Sequence, residues 1–217
     1  MGTVEILRNE LTICSHIITY GNAADLSITE QIRDEIESMW NEPEVFLEFD
    51  GSSKRVRFRI TAAYAPTIDP VEILGNTDPR NNYFRIENFA RGNISFVDGV
   101  GCNTGYFKLE NLYKGSTTAA HEYGHTIGLD HPEDMDLRSK GVPGIMYPRG
   151  TLVDSIYQYN PAGQSGDSSN GGTMHPKFRR VQVADILQLN LHRLELGVDP
   201  CIIGSFSSIW HPDHSNS

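Results

Sequence analysis

Apolar and polar positions first alternate, then recur with a helical period, then alternate again, and these changes of period mark the elements of the chain. From Thr3 to Tyr20 the apolar positions Val4, Ile6, Leu7, Leu11, Ile13, Ile17 and Ile18 are dense and largely β-branched, which predicts one long strand or a pair of strands. After the turn-like GNAAD, Ile28, Ile32, Ile36, Met39 and Trp40 recur every three to four residues, with Glu30, Asp34, Glu35 and Glu37 between them. This spacing predicts an amphipathic helix, capped by Asp25 or Ser27 and ending before Pro43. Val45 to Phe49 and Val56 to Tyr64 return to the strand pattern on either side of the turn DGSSK. In the second of these, Val56, Phe58 and Ile60 alternate with Arg55, Arg57 and Arg59, so one face meets water. Pro66, Pro70, Gly75 and Pro79 break up the next stretch, which reads as a long surface loop to Arg91 with only Tyr83 to Phe89 ordered. Asn93 to Val97 and Gly105 to Leu109 are short strands joined by DGVGCNT. Phe178, Val181, Val183, Ile186, Leu187, Leu189, Leu191 and Leu194 predict a strong final helix, stopped by Gly197 and Pro200. A strand, a crossover helix and further strands make a mixed sheet with helices packed on it, an α+β arrangement.

Between the last two short strands and the final helix lies TTAAHEYGHTIGLDH, Thr117 to His131, with Ser116 or Thr117 as the expected helix cap. Its pattern is H-E-x-x-H-x-x-G-x-x-H, carried by His121, Glu122, His125, Gly128 and His131. Residues four apart share one face of a helix, so His121 and His125 can address one ion with Glu122 beside them. Gly128 can take positive φ and end the helix, which lets the chain turn and deliver His131 from another direction. Three neutral imidazoles are the ligand set of a catalytic zinc, which keeps a position for water and lowers its pKa to about 7. Glu122 can then take the proton of that water as general base. Histidines that merely pack or sit in solvent are the competing reading for a lone H-x-x-x-H; five matched positions argue against it here.

Composition narrows the remaining possibilities. With 217 residues the chain can bury one independent core without staples. The net charge of −10, and a single basic cluster at Lys54 to Arg59 that reads as alternating strand, argue against a nucleic-acid surface. No apolar run reaches the length of about 20 residues that crosses a bilayer. MGTVEILRNE lacks a signal-peptide pattern, so the chain by itself reads as cytosolic or as trimmed from a longer one. Cys14, Cys102 and Cys201 are too few and too scattered for a disulfide framework and are expected to be structural. The polar run NPAGQSGDSSNGG within Thr151 to Pro176 is expected to be mobile and to border or cover the cleft. The stretch to Ser217 reads as a tail in which His211 and His214 are solvated.

HEYGHTIGLDH, followed by GIMYP at Gly144 to Pro148, resembles the metzincin clan of zinc endopeptidases and within it the matrixin family, the catalytic domains of matrix metalloproteinases. The resemblance implies a twisted, mixed five-stranded sheet with an active-site helix, a Met-turn and a C-terminal helix. It covers a catalytic domain at 3–197, with a flexible insertion at 151–176 and a tail at 198–217. It assigns His121, His125 and His131 to one catalytic zinc, Glu122 to the general base, and Met146 with Tyr147 to the Met-turn. It also implies that Asn93, Ile94, Ser95, Phe96 and Val97 form the edge strand with which an extended polypeptide substrate pairs, and that the protein is secreted. Calcium is a possible second ion for which the chain shows no readable site, and a monomer is expected. Four features depart from the matrixin pattern: Pro132 replaces the usual serine, Pro148-Arg149-Gly150 lacks the tyrosine of the specificity-pocket wall, no histidine-rich loop precedes the active helix, and the insertion Thr151 to Pro176 has no place in the minimal pattern. The chain thus reads as a divergent member or a sister family. Two other functions fit the same residues: a zinc-containing peptide-binding module without turnover, and a peptidase toxin or effector domain excised from a larger exported protein.

Overall fold

The computed structural model describes residues 1–7, 9–49, 51–194 and 201–216. The dense apolar start divides into a hairpin, β1 (Gly2–Leu7) and β2 (Glu10–Tyr20). The amphipathic stretch forms α1 (Leu26–Asn41), where Asp25 Oδ1 accepts from the Ile28 N–H at 2.8 Å as the cap. Its buried face carries Ile32, Ile36 and Trp40, side chains each worth about 1.5–3 kcal/mol on full burial. Two antiparallel strands follow, β3 (Phe46–Phe49) and β4 (Ser52–Tyr64), joined by a shorter turn than expected because Ser52 and Ser53 already pair.

β2 is the centre of the sheet. Parallel β4 runs along one of its edges, while antiparallel β1 and parallel β5 (Asn81–Glu87) share the other, β1 against Glu10–Cys14 and β5 against His16–Tyr20. The sheet continues through β7 (Thr104–Lys108), parallel to β5, to β6 (Phe96–Val97), antiparallel to β7, in the order β3-β4-β2-β5-β7-β6. The mixed α+β architecture is as expected. Among the described residues the sheet nevertheless holds eight strands, since the first strand doubles, β5 forms within the stretch read as a loop, and a short β8 (Cys201–Ile203) joins β1.

Four stretches differ from the sequence reading. The supposed loop from Pro66 contains α2 (Pro70–Leu74), held by an Asp69–Glu72 capping box, and the buried strand β5, whose polar Asn82, Arg85 and Glu87 disguise a central position. The final helix shrinks to α4 (Val183–Gln188) plus a 3-10 turn at Leu191–Arg193, because Arg179 and Val181 are spent on loop packing before it starts. Its expected stop at Gly197 and Pro200, and the domain boundary at Gly197, lie outside the described residues. The polar segment 151–176 is hydrogen-bonded and turn-rich: Val153 and Met174 bury with Leu137 in a small apolar cluster of their own, tied by bridges from Asp136 to Leu152 and from Gln158 to Met174. Finally, the tail returns to the sheet. Trp210 stacks on Tyr20 with centroids 5.3 Å apart, His211 is buried with Nε2 3.0 Å from Asp98, and His214 stacks on Tyr106 at 3.8 Å, so neither histidine is simply solvated. Among the described residues no helix is long and apolar enough to cross a membrane, and the three cysteines are unpaired.

Candidate metal centre

The signature helix, α3 (Thr118–Thr126), is buried along its whole length. Only one of its first N–H groups is met from its own segment. Thr117 adopts φ 61°, its Oγ1 donates instead to Pro176 O at 2.8 Å, and Ser116 Oγ accepts only from the Thr118 N–H at 3.2 Å. The missing acceptor comes from α1, where the Glu35 carboxylate takes the Ala120 N–H at 3.2 Å and those of Ala119 and Thr117. Trp40 Nε1 donates to Ala120 O at 3.0 Å, locking the two helices together. At the far end Gly128 takes φ +101° and donates to His125 O at 3.0 Å, which ends α3 and reverses the chain toward His131 as its spacing predicts. Gly124 has a packing reason: a Cβ there would collide with Met146 and stand 3.1 Å from Trp40. Met146 is therefore buried directly beneath α3, with Tyr147 half-buried after it.

The three histidines meet. His131 Nε2 stands 3.1 Å from His125 Nε2 and 3.2 Å from His121 Nε2. At the other nitrogen of the two helical rings, His121 Nδ1 lies 2.7 Å from Ile145 O and His125 Nδ1 lies 2.7 Å from Leu129 O. A carbonyl can only accept, so both Nδ1 atoms carry the proton and both Nε2 atoms present lone pairs. His131 can donate to one of them and not to both. Lone pairs gathered this closely require a cation, and tetrahedral coordination at a Zn–N distance of about 2.0–2.1 Å puts ligand nitrogens roughly this far apart. Burial, with Arg179 second among the causes, holds His121 well below the ordinary imidazole range; burial also lowers His125 and His131. All three are thus neutral donors, and among the described residues they form the one cluster suited to a metal.

Asp185 of α4 supports this arrangement from behind. Its carboxylate accepts the Gln182 N–H at 2.7 Å and the N–H of Ile145, the residue whose carbonyl orients His121. Burial raises Asp185 to about 6.

Glu122 is 6% exposed and lies with the histidines in a cleft of about 470 Å³. Burial pushes its carboxyl up to about 8, opposed first by the charge of Arg179 and then by the Val97 N–H. The cleft runs between Ile94–Val97 on one side and Pro148, Arg149 and Gly150 on the other, over Thr118 and Arg179. Of the predicted edge strand only Phe96 and Val97 pair with β7, while Ile94 and Ser95 line the cleft without pairing. Asn93 is turned away, at φ 56° in a 3-10 turn with its side chain accepting from Lys108 Nζ at 3.1 Å, so it is no part of the cleft wall. The sequence reading missed Arg179, Glu35 and Asp185. Arg179 was hidden in an apolar run read as helix, and the two carboxylates act through backbone groups remote in sequence, a link no local pattern carries.

No family model matches the sequence, and no curated protein does. Among solved structures the chain is similar to archaemetzincin from Methanopyrus kandleri, at 11% identity and a TM-score of 0.41, over 82% of this chain and 94% of that one. It is also similar to myroilysin, at 12% identity and a TM-score of 0.30, over 84% of this chain and 76% of that one.

Proposed function

We propose that this protein is a zinc-dependent endopeptidase of metzincin type that hydrolyses peptide bonds in extended polypeptides. The observation that carries the proposal is the convergence of three neutral imidazoles on one point, two of them with the proton fixed on Nδ1, beside a buried carboxyl. His121, His125 and His131 would hold the zinc. Such an ion supplies Lewis acidity, polarising a carbonyl and acidifying water to a pKa of about 7. Glu122 takes the proton of the attacking water and delivers it to the leaving amine, a role suited to a carboxyl buried in the same cleft as the three imidazoles. Val97 holds that carboxylate by its N–H, and the two-residue edge of β6 is the free edge along which an extended peptide can align. Met146 braces α3 from below, so the ligand spacing is fixed before any ion arrives. The matrixin-like affiliation rests on HEYGHTIGLDH and GIMYP alone.

The test is elemental analysis with cleavage of a mixed peptide library, before and after chelation. About one zinc per chain and chelator-sensitive cleavage are expected. Glu122→Gln should retain the zinc and lose at least about 100-fold to 10,000-fold in rate, the usual share of general acid–base assistance. A zinc-loaded Glu122→Gln protein that cleaves within a few-fold of the parent would sink the mechanism. A parent that binds zinc and extended peptides but cleaves none would make the chain a binding module.

A further inference from the structure

The cleft holds two cations that the proposed reaction does not use. Arg179 is 3% exposed, and its hydrogen bonds go to neutral oxygens: Nε to Thr117 Oγ1 at 2.9 Å, Nη1 to Tyr147 O at 3.2 Å and Nη2 to Thr117 O at 3.5 Å. Arg149 is exposed at the lip and donates to Asn111 Oδ1 at 2.9 Å. Neither makes a contact ion pair with a carboxylate among the described residues; the carboxylates of Glu122 and Glu35 act on Arg179 only through charge, without a hydrogen bond. A guanidinium buried without a paired anion is costly, so folds seldom keep one without a use. An arginine carries five N–H donors in a planar fork matched to a carboxylate, and the bonds of Arg179 engage three of them.

Position links these cations to the bond that breaks. Arg179 is tied to Thr117, one helical turn before His121, and a turn rises about 5.4 Å. An extended peptide advances about 3.3–3.6 Å per residue, so a side chain adjoining the scissile bond spans that interval. The net charge of −10 would repel an acidic peptide at long range, but at physiological salt this field is screened beyond about 8 Å. Inside the cleft the two arginines set the local sign.

We propose that Arg149 and Arg179 form a receiving site for a substrate carboxylate, so that cleavage falls beside Asp or Glu, or beside a free C-terminus. This rests on the peptidase reading above. The shared chemistry is a carboxylate between two guanidiniums, with Arg179 as the buried anchor and Arg149 as the gate at the lip.

The experiment uses the zinc-loaded full chain and peptides identical except for Glu or Gln on either side of the scissile bond, each with a free or an amidated C-terminus. Both kcat/KM and calorimetric affinity are measured. A carboxylate is expected to improve both by about ten-fold or more. A Glu preference that persists in amidated peptides identifies the side chain as the source; a preference seen only with free C-termini identifies the terminus. Arg149→Gln, an exposed change compatible with folding, should bring the Glu/Gln or free/amidated ratio to within about three-fold of unity. Ratios near one in both cleavage and binding, or a preference untouched by Arg149→Gln, overturn the carboxylate site. If no peptide is cleaved while the carboxylate preference in binding remains, the peptidase reading fails and the site stands. If peptides are cleaved without any preference, the reverse holds.

Discussion

A carboxyl group 6% exposed on the floor of a cleft has a cost that depends on pH, and Glu122 makes that cost measurable. Its pKa in the metal-free fold is about 8 against a usual 4.5, so the fold favours the protonated form. The stabilising contribution is therefore complete below pH 4.5 and is lost as pH rises through 8. In chelated protein, Glu122→Gln should match the parent near pH 4 and exceed it by on the order of 5 kcal/mol near pH 9, since the folded and unfolded values bracket about three and a half pH units and a tenfold change in a protonation equilibrium is worth about 1.4 kcal/mol. Denaturant titrations at the two pH values decide this, and parallel curves for parent and variant would refute it. Asp185 acts at the same scale but through the backbone, holding the Ile145 peptide that orients His121. Asp185→Ala is expected to weaken zinc affinity about 10-fold to 100-fold, as loss of ligand-orienting partners usually does. A competition titration against a chelating dye reads it, and unchanged affinity would mean that His121 needs no such support. The ligands were legible from sequence because the helical period places His121 and His125 and the Gly128 stop delivers His131. Asp185 and Arg179 were not, because each reaches the site across a long stretch of intervening chain.

At the scale of the element, α3 has no N-terminal cap of its own. Apart from the Thr118 N–H, which Ser116 meets, its first donors are met by Glu35 of α1, and its carbonyl at Ala120 by Trp40 of α1. α1 and α3 thus form as a pair, with Ala119 and Ala120 small enough to let them approach. Glu35→Ala should cost the zinc-loaded protein about 0.5–2 kcal/mol, the range for a lost helix cap, read from denaturant midpoints at constant m-value. A shift within error would show that water can replace the carboxylate there. The hydrophobic period revealed α1 and its apolar face, yet Glu35 looked like one more solvated charge among Glu30, Asp34 and Glu37. The final helix fails for the opposite reason. Val181, Ile186 and Leu191 are buried as their period suggests, but Val183 and Leu187 are exposed, so the apolar run reflects irregular coil and a short helix in equal part.

Over the whole molecule the returning chain ties the far end of the sheet to the back of the cleft. Ser205 N–H donates to Gly101 O at 2.7 Å, Ser207 and Ser208 N–H both donate to Asn103 Oδ1, and His211 meets Asp98 just beyond the edge strand β6. Trp210, half-buried against Tyr20, is the apolar anchor of this return. Trp210→Ala should destabilise the protein by about 1–3 kcal/mol, below the value for a fully buried tryptophan, while zinc stoichiometry stays near one. Thermal melts with elemental analysis test it; an unaltered melting temperature would mean that the return contributes nothing to stability. No periodicity announced this return, because its contacts are single polar bonds and ring stackings rather than a repeating face. The other consequence lies in β6 itself. If the chain cleaves peptides as proposed, a free edge only two residues long gives a passing peptide at most a few main-chain hydrogen bonds, so its grip on the cut halves is brief. Turnover should then be set by the speed of bond breaking rather than by the departure of products, and a pre-steady-state trace should rise linearly from the start, without a burst.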